Sequence, residues 1–231
     1  MRKNHNHVNA ILLCAAIGLT ATGSVFAHEE KGEQIAVSRY KGIFTSPPAH
    51  IPTNKTPDGA IAGNGDVGIV FSGTPDFQRF YISKNDFWKS KPGYPDGGVF
   101  LPGGLDIQVE ALNGASYYAE QVLENATLKA VFRTANAGYQ LTSWVAAGDN
   151  MIILEFESEG DPYEVNLNLW SQTGHASINE SGQEGEIYWV TRKFETPDLE
   201  WPTRIAMTMK VLGADGNIFQ LKESAIIQYL R

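Results

Sequence analysis

Gly63-Asn64-Gly65-Asp66-Val67-Gly68 is the sharpest local pattern in the chain. It matches G-x-G-x-x-G, the loop that cradles a dinucleotide pyrophosphate when a strand precedes it and a helix opens on it. Here Ile69-Val70-Phe71 follows and ends at Gly73-Thr74-Pro75-Asp76. Those β-branched and aromatic residues, stopped by a turn, leave no room for a helix, so the dinucleotide reading fails. The remaining reading is a structural loop. Gly63, Gly65 and Gly68 allow close backbone approach where the chain enters a strand, and Asn64 and Asp66 bond to nearby backbone.

A second cluster, Tyr81-Ile82-Ser83-Lys84-Asn85-Asp86-Phe87-Trp88, has two readings. Trp88 beside Asn85 and Asp86 has the chemistry to stack on the apolar face of a sugar ring and bond its hydroxyl rim. The residues alone favour the other reading, in which Phe87 and Trp88 pack into a sheet while Asn85 and Asp86 cap a turn, because Asx residues favour turns so strongly. Glycoside hydrolysis needs two carboxylates at a set separation. Asp66, Asp76, Asp86 and Asp106 are available, but nothing in their spacing selects a pair, and most are expected to be solvated. His28, His50 and His175 are too scattered for metal-ligand spacing, and no G-x-S-x-G elbow supports a serine nucleophile. No metal, cofactor or catalytic residue is implied by these motifs.

The elements that would position these residues are strands. The 231 residues carry 42% hydrophobic and 19% charged side chains, an ordinary globular balance. A net charge of −8 argues against nucleic acid as a partner. Leu105, Ile107 and Val109 alternate with polar neighbours, as do Val165, Leu167 and Leu169, and Ile205, Met207, Met209 and Val211. This period of two marks sheets with one buried and one wetter face. Further strands are predicted at 67–72, 78–83, 117–122, 127–133, 139–145, 151–158, 186–192 and 218–221. Turn residues separate them, among them Asn113-Gly114, Gly148-Asp149-Asn150, Gly160-Asp161-Pro162 and Asp215-Gly216-Asn217. About a dozen short-linked strands with little helix predict an all-β, antiparallel, supersandwich-like β-sandwich.

The N-terminus reads as an export signal. Arg2 and Lys3 precede the apolar run Ile11–Thr20, and Val25-Phe26-Ala27 places small or permitted residues before a cleavage point. The apolar run is too short for a comfortable membrane span. Leu13 stands before Cys14 where a lipoprotein leader carries a small residue. Cleavage after Ala27 removes Cys14, the single cysteine, and with it all thiol and disulfide chemistry. Residues 1–27 are thus expected to be a signal peptide, 28–60 an extended segment and loop, and 61–231 the sandwich, in a periplasmic or extracellular protein.

Residues 59–88 resemble the start of the N-terminal β-sandwich of six-hairpin glycosidases, with family 95 α-L-fucosidases and family 65 enzymes the nearest. There, a G-N-G-x-x-G segment, here Gly63–Gly68, is followed by a strand, a turn and an N-D-x-W segment, here Asn85-Asp86-Phe87-Trp88. Leu101-Pro102-Gly103-Gly104-Leu105-Asp106-Ile107 resembles a later strand start in the same domain. The resemblance implies a glycosidase-related function with carbohydrate as partner, and makes Asn85, Asp86 and Trp88 sugar-lining residues. In those families the catalytic carboxylates lie in an (α/α)6 barrel after the sandwich. This sequence ends at Arg231 without one, so no catalytic residue carries over. A stand-alone carbohydrate-binding module is the alternative.

Overall fold

The computed structural model describes residues 10–16, 37–53, 56–89, 98–160, 164–197 and 199–212. They form two facing sheets and a small ribbon, and every strand pair among them is antiparallel. The all-β sandwich expected from the sequence is the fold found.

In chain order the strands are β1 (Ala10–Ala16), β2 (Lys41–Phe44), β3 (Ala60–Gly63), β4 (Val67–Thr74), β5 (Phe77–Lys84), β6 (Trp88–Lys89), β7 (Gly98–Val99) and β8 (Gly103–Gln108). A 3-10 turn, Glu110–Leu112, follows. Then come β9 (Ser116–Val122), β10 (Thr127–Arg133), β11 (Ala137–Val145), β12 (Met151–Gly160), β13 (Asn166–Ser171), β14 (Ile178–Glu184), β15 (Ile187–Phe194) and β16 (Thr203–Leu212). The larger sheet has nine strands in the order β14-β15-β16-β1-β12-β11-β10-β9-β2. The smaller has five, β13-β8-β5-β4-β3, and β6 pairs with β7.

Alternation decides which face is dry. On β5, Phe80 and Ile82 point into the core; on β8, Leu105 and Ile107; on β13, Leu167 and Leu169. The larger sheet answers with Leu128, Ala130, Phe132, Leu141, Ile152, Leu154, Val190, Met207 and Met209. A one-residue slip in any of these strands would turn its whole apolar set outward, so the register is held by burial itself. The methionines at 207 and 209 are core side chains, exposed by 3% and 0%.

Among the strands that the sequence reading did not predict are β1 and β2 of the larger sheet. Lys41–Phe44, within the segment read as extended loop, adds β2 to the edge of the larger sheet beside β9. Ala10–Ala16, within the apolar run read as a leader, is a strand in the middle of that sheet. The expected cleavage site at 25–27, the turn residues 161–162 and 215–217, and the strand 218–221 lie outside the described residues.

Candidate functional site

Both motif segments lie at one end of the smaller sheet. β3 and β4 are joined through Gly63–Gly68, with Gly63 and Gly68 in register and Asn64 N–H donating to the Val67 carbonyl at 3.1 Å. The strand β4 follows the glycines, in keeping with the rejection of a dinucleotide loop. Gly65 has φ +91°, a left-handed conformation that L side chains rarely adopt. At Gly63 an added Cβ would lie 2.8 Å from the Val67 carbonyl oxygen.

Asn64 organises the loop with its whole amide. Its Oδ1 accepts from the N–H groups of Asp66 and Val67 at 2.9 and 2.8 Å. Its Nδ2 donates across to the carbonyls of Ala146 and Asp149 at 2.8 and 3.1 Å. The side chain thereby ties the smaller sheet to the loop between β11 and β12 of the larger one.

The Asn85–Trp88 turn docks on the same loop. Asn85 N–H donates to the Asp66 carbonyl at 2.9 Å and its Nδ2 to the Gly65 carbonyl at 3.0 Å. Trp88 Nε1 donates back to the Asn85 carbonyl at 2.6 Å, leaving the indole 46% exposed. Phe87 is buried and stacks on Phe194 with centroids 5.5 Å apart. Thus Asn85 and Phe87 serve the turn, while Asp86 and the Trp88 ring face solvent.

Between Asp66 and Asp86 stands the buried Lys84 ammonium, donating to both at 2.6 and 2.8 Å. That ammonium bridges the two carboxylates and so ties the Gly63–Gly68 loop to the Asn85–Trp88 turn. Burial opposes the Lys84 charge, but the hydrogen bonds to Asp66 and Asp86 outweigh it and raise its pKa. The folded pKa lies above the unfolded one, so this stabilisation is complete below about pH 10.5 and is lost as pH rises through the raised value. Both carboxylates are partly in solvent, which screens the pair. Lys84→Met is therefore expected to cost about 1–2 kcal/mol at pH 8. The gap to wild type should close above pH 10.5 in urea titrations. A gap that stays constant would assign the effect to packing.

A second cluster escaped the sequence reading. On the outer face of the smaller sheet, Tyr81, Gly104 and Trp170 form one row across β5, β8 and β13, and Arg79, Asp106 and Asn168 the next. Arg79 grips Asp106 with both arms of its fork, Nε to Oδ1 at 2.6 Å and Nη2 to Oδ2 at 2.7 Å. Trp170 Nε1 donates to the same Oδ1 at 2.9 Å and its ring lies edge-on to Tyr81, centroids 6.0 Å apart. The guanidinium lies 5.0 Å from the centre of the Trp170 ring and 5.3 Å from that of Phe77. Burial disfavours the Arg79 charge, yet Asp106 more than compensates and holds its pKa above the ordinary value. Asp106 is only 3% exposed, so of the four candidate aspartates this one is withdrawn from solvent. Asp76 behaves as a turn residue, accepting from Thr74 Oγ1 at 2.7 Å.

The described histidines lie apart from both clusters. His50 Nδ1 contacts Asp58 at 3.1 Å on the surface. His175 packs edge-on to Phe100, and its carbonyl accepts from Lys89 Nζ at 2.9 Å. Beside it the buried Arg192 donates to the carbonyls of Leu101 and Gly174, under Phe100 and Phe194. Burial pushes the Arg192 pKa down to about 10. Among the described residues no group of three or more His, Cys, Asp or Glu comes together as a metal site, and no helix is long and apolar enough to cross a membrane. Compared with the known protein families and with curated proteins, the chain matches none.

Proposed function

We propose that this chain is the exported β-sandwich domain of a carbohydrate-active enzyme similar to the family 95 α-L-fucosidases. In this reading it borders a sugar site, and bond cleavage belongs to a separate helical barrel. One observation carries the reading: the Gly63–Gly68 loop and the Asn85–Trp88 turn, the segments that bear the resemblance, are hydrogen-bonded into a single unit at one end of the sandwich. That unit offers the half-exposed Trp88 ring beside the exposed Asp86 carboxylate, an apolar face next to an acceptor. Such a pairing suits a pyranose, whose C–H face is apolar and whose rim donates.

Two measurements test the proposal. The purified protein should show no turnover of aryl-α-L-fucoside or aryl-α-glucoside; robust hydrolysis would place the chemistry on the sandwich itself and overturn the reading. Calorimetric titration with fucosylated oligosaccharides should show weak binding. Trp88→Ala should reduce it about tenfold, roughly 1.4 kcal/mol of lost stacking. Equal affinity in wild type and variant would remove Trp88 from the site.

The alternative, a stand-alone carbohydrate-binding module, rests on the same half-exposed Trp88. It is distinguished by strength: a module that works alone binds sugar tightly without any barrel. The bordering-domain reading expects affinity to rise when barrel and sandwich are joined.

A further inference from the structure

We propose that Lys89, His175 and Arg192 form an oxyanion subsite, suited to a carboxylate or a sulfate, at the end of the sandwich that carries the Gly63–Gly68 loop. The loop between β13 and β14 is its outer wall. Gly174, His175 and Ala176 have φ of +98°, +55° and +57°. Left-handed backbone at two successive non-glycine residues is strained and persists only where its surroundings hold it. Two cations hold it here. Lys89 Nζ donates to the His175 carbonyl at 2.9 Å, and Arg192 Nη2 to the Gly174 carbonyl at 3.3 Å. The strand ends fix the place. Ser171, the last residue of β13, pairs with Gly103, which pairs with Ile82 near the end of β5. Gln172 N–H donates to the Pro102 carbonyl at 2.9 Å, and Phe100 N–H to the Phe87 carbonyl at 3.0 Å.

Charge balance is what points to an anion. Elsewhere Lys41, Arg79, Lys84, Lys193, Arg204 and Lys210 each hold a carboxylate. Arg192 and Lys89 hold only backbone carbonyls. Arg192 lies on the core face of β15, between Val190 and Phe194, and is 1% exposed. Its Nε has no hydrogen-bond partner. Burial lowers its pKa to about 10, so it stays charged at neutral pH. A buried charge without a counter-charge opposes folding, and an arriving anion would relieve it. Lys89 Nζ and Arg192 Cζ lie 5.3 and 4.9 Å from the centre of the same Phe194 ring, so the two positive charges converge. Lys89 is half-buried and uses one of its three N–H donors on the loop. The exposed His175 ring packs edge-on to Phe100 and makes no hydrogen bond to any described residue. The anion would therefore rest on Lys89 and His175 from the solvent side. Arg192 would stand behind it as a fixed charge that water screens little. A chain of net charge −8 repels anions as a whole, so the attraction is local to this cluster.

Such a group can come as a free inorganic anion or as the acid group of a sugar, and the test separates the two. Amide resonances of Gly174, His175 and Ala176 are followed in the purified protein at fixed pH and ionic strength. The additions are sulfate, glucuronate and, as the neutral counterpart, glucose. Sulfate or glucuronate should move these resonances to saturation, and glucose should leave them in place. Tighter glucuronate assigns the subsite to an acidic sugar, and tighter sulfate assigns it to a free anion. Shifts that stay linear with both anions, or that glucose reproduces, would overturn the proposal. Lys89→Gln keeps a donor for the His175 carbonyl and removes the charge. It should weaken the saturating anion about tenfold, and Lys89→Arg should restore most of that loss. Equal affinity in Lys89→Gln and wild type would overturn the assignment. Arg192→Met should weaken the anion by about threefold through the lost charge, while Arg192→Lys keeps the wild-type affinity. If Arg192→Met fails to fold, the two Lys89 variants decide.

Discussion

Asp106→Ala is expected to destabilise the protein by about 3–5 kcal/mol in urea unfolding, among the largest single effects in the chain. The reason is what remains behind. Arg79 and Asp106 are nearly withdrawn from water, with side chains 11% and 5% exposed. Removing the carboxylate takes from the guanidinium its two charge-assisted bonds to Asp106, among the rings of Phe77, Tyr81 and Trp170, and leaves the Trp170 N–H without its acceptor. The ion pair itself is a different matter, because desolvating both charges offsets most of their attraction. Arg79→Met/Asp106→Leu should therefore lie within about 1–2 kcal/mol of wild type. Asp106→Asn, which keeps an acceptor oxygen but loses the charge, should fall between the two. A double variant as unstable as Asp106→Ala would show that the pair contributes net stability beyond the cost of its desolvation.

That cluster also shows where sequence reading reaches its limit. Thr127–Arg133 was legible as β10 to the residue, and β4, β5, β8, β11, β12, β13, β15 and β16 to within about two residues at most ends, because buried alternation and turn chemistry are local signals. β14, Ile178–Glu184, has no such alternation. It is an exposed edge held by its ladder to β15, with Gly182 lying against the Trp189 ring. β2 and β3 are too short for their pattern to stand out. β1 was hidden for another reason: an apolar run after two cations reads equally as a leader core and as a central strand. At the site, Gly65, Asn85 and their neighbours were legible because turns demand those residue types. The Lys84 bridge and the Arg79–Asp106–Trp170 cluster were not. The latter spans 27 and 64 residues of sequence, and only the order β13-β8-β5 brings its members into adjacent rows. Nothing in the local spacing of an arginine, an aspartate and a tryptophan reveals that order.

The same order makes Gly104 the second position of large expected effect. It lies between Tyr81 and Trp170 in the cross-strand row, and the Trp170 ring covers it. An added Cβ would collide with the Phe80 carbonyl oxygen and lie 2.6 Å from Trp170 Cζ2. An indole can swing aside, at the expense of its bond to Asp106, but the carbonyl belongs to the neighbouring strand and moves only if β5 and β8 separate. Gly104→Ala is accordingly expected to cost about 3 kcal/mol, at the upper end of overpacking penalties. Gly148→Ala, where a Cβ meets nothing within 4 Å and φ is unstrained, should change stability by less than about 0.5 kcal/mol. The two contacts at Gly104 separate in a Trp170→Ala background, which removes the ring and keeps the carbonyl. If the backbone contact dominates, most of the cost of Gly104→Ala survives there. If it vanishes instead, the glycine exists to seat Trp170. The outer face of the smaller sheet would then be built around that ring and the Arg79–Asp106 pair beneath it, rather than around the strand spacing.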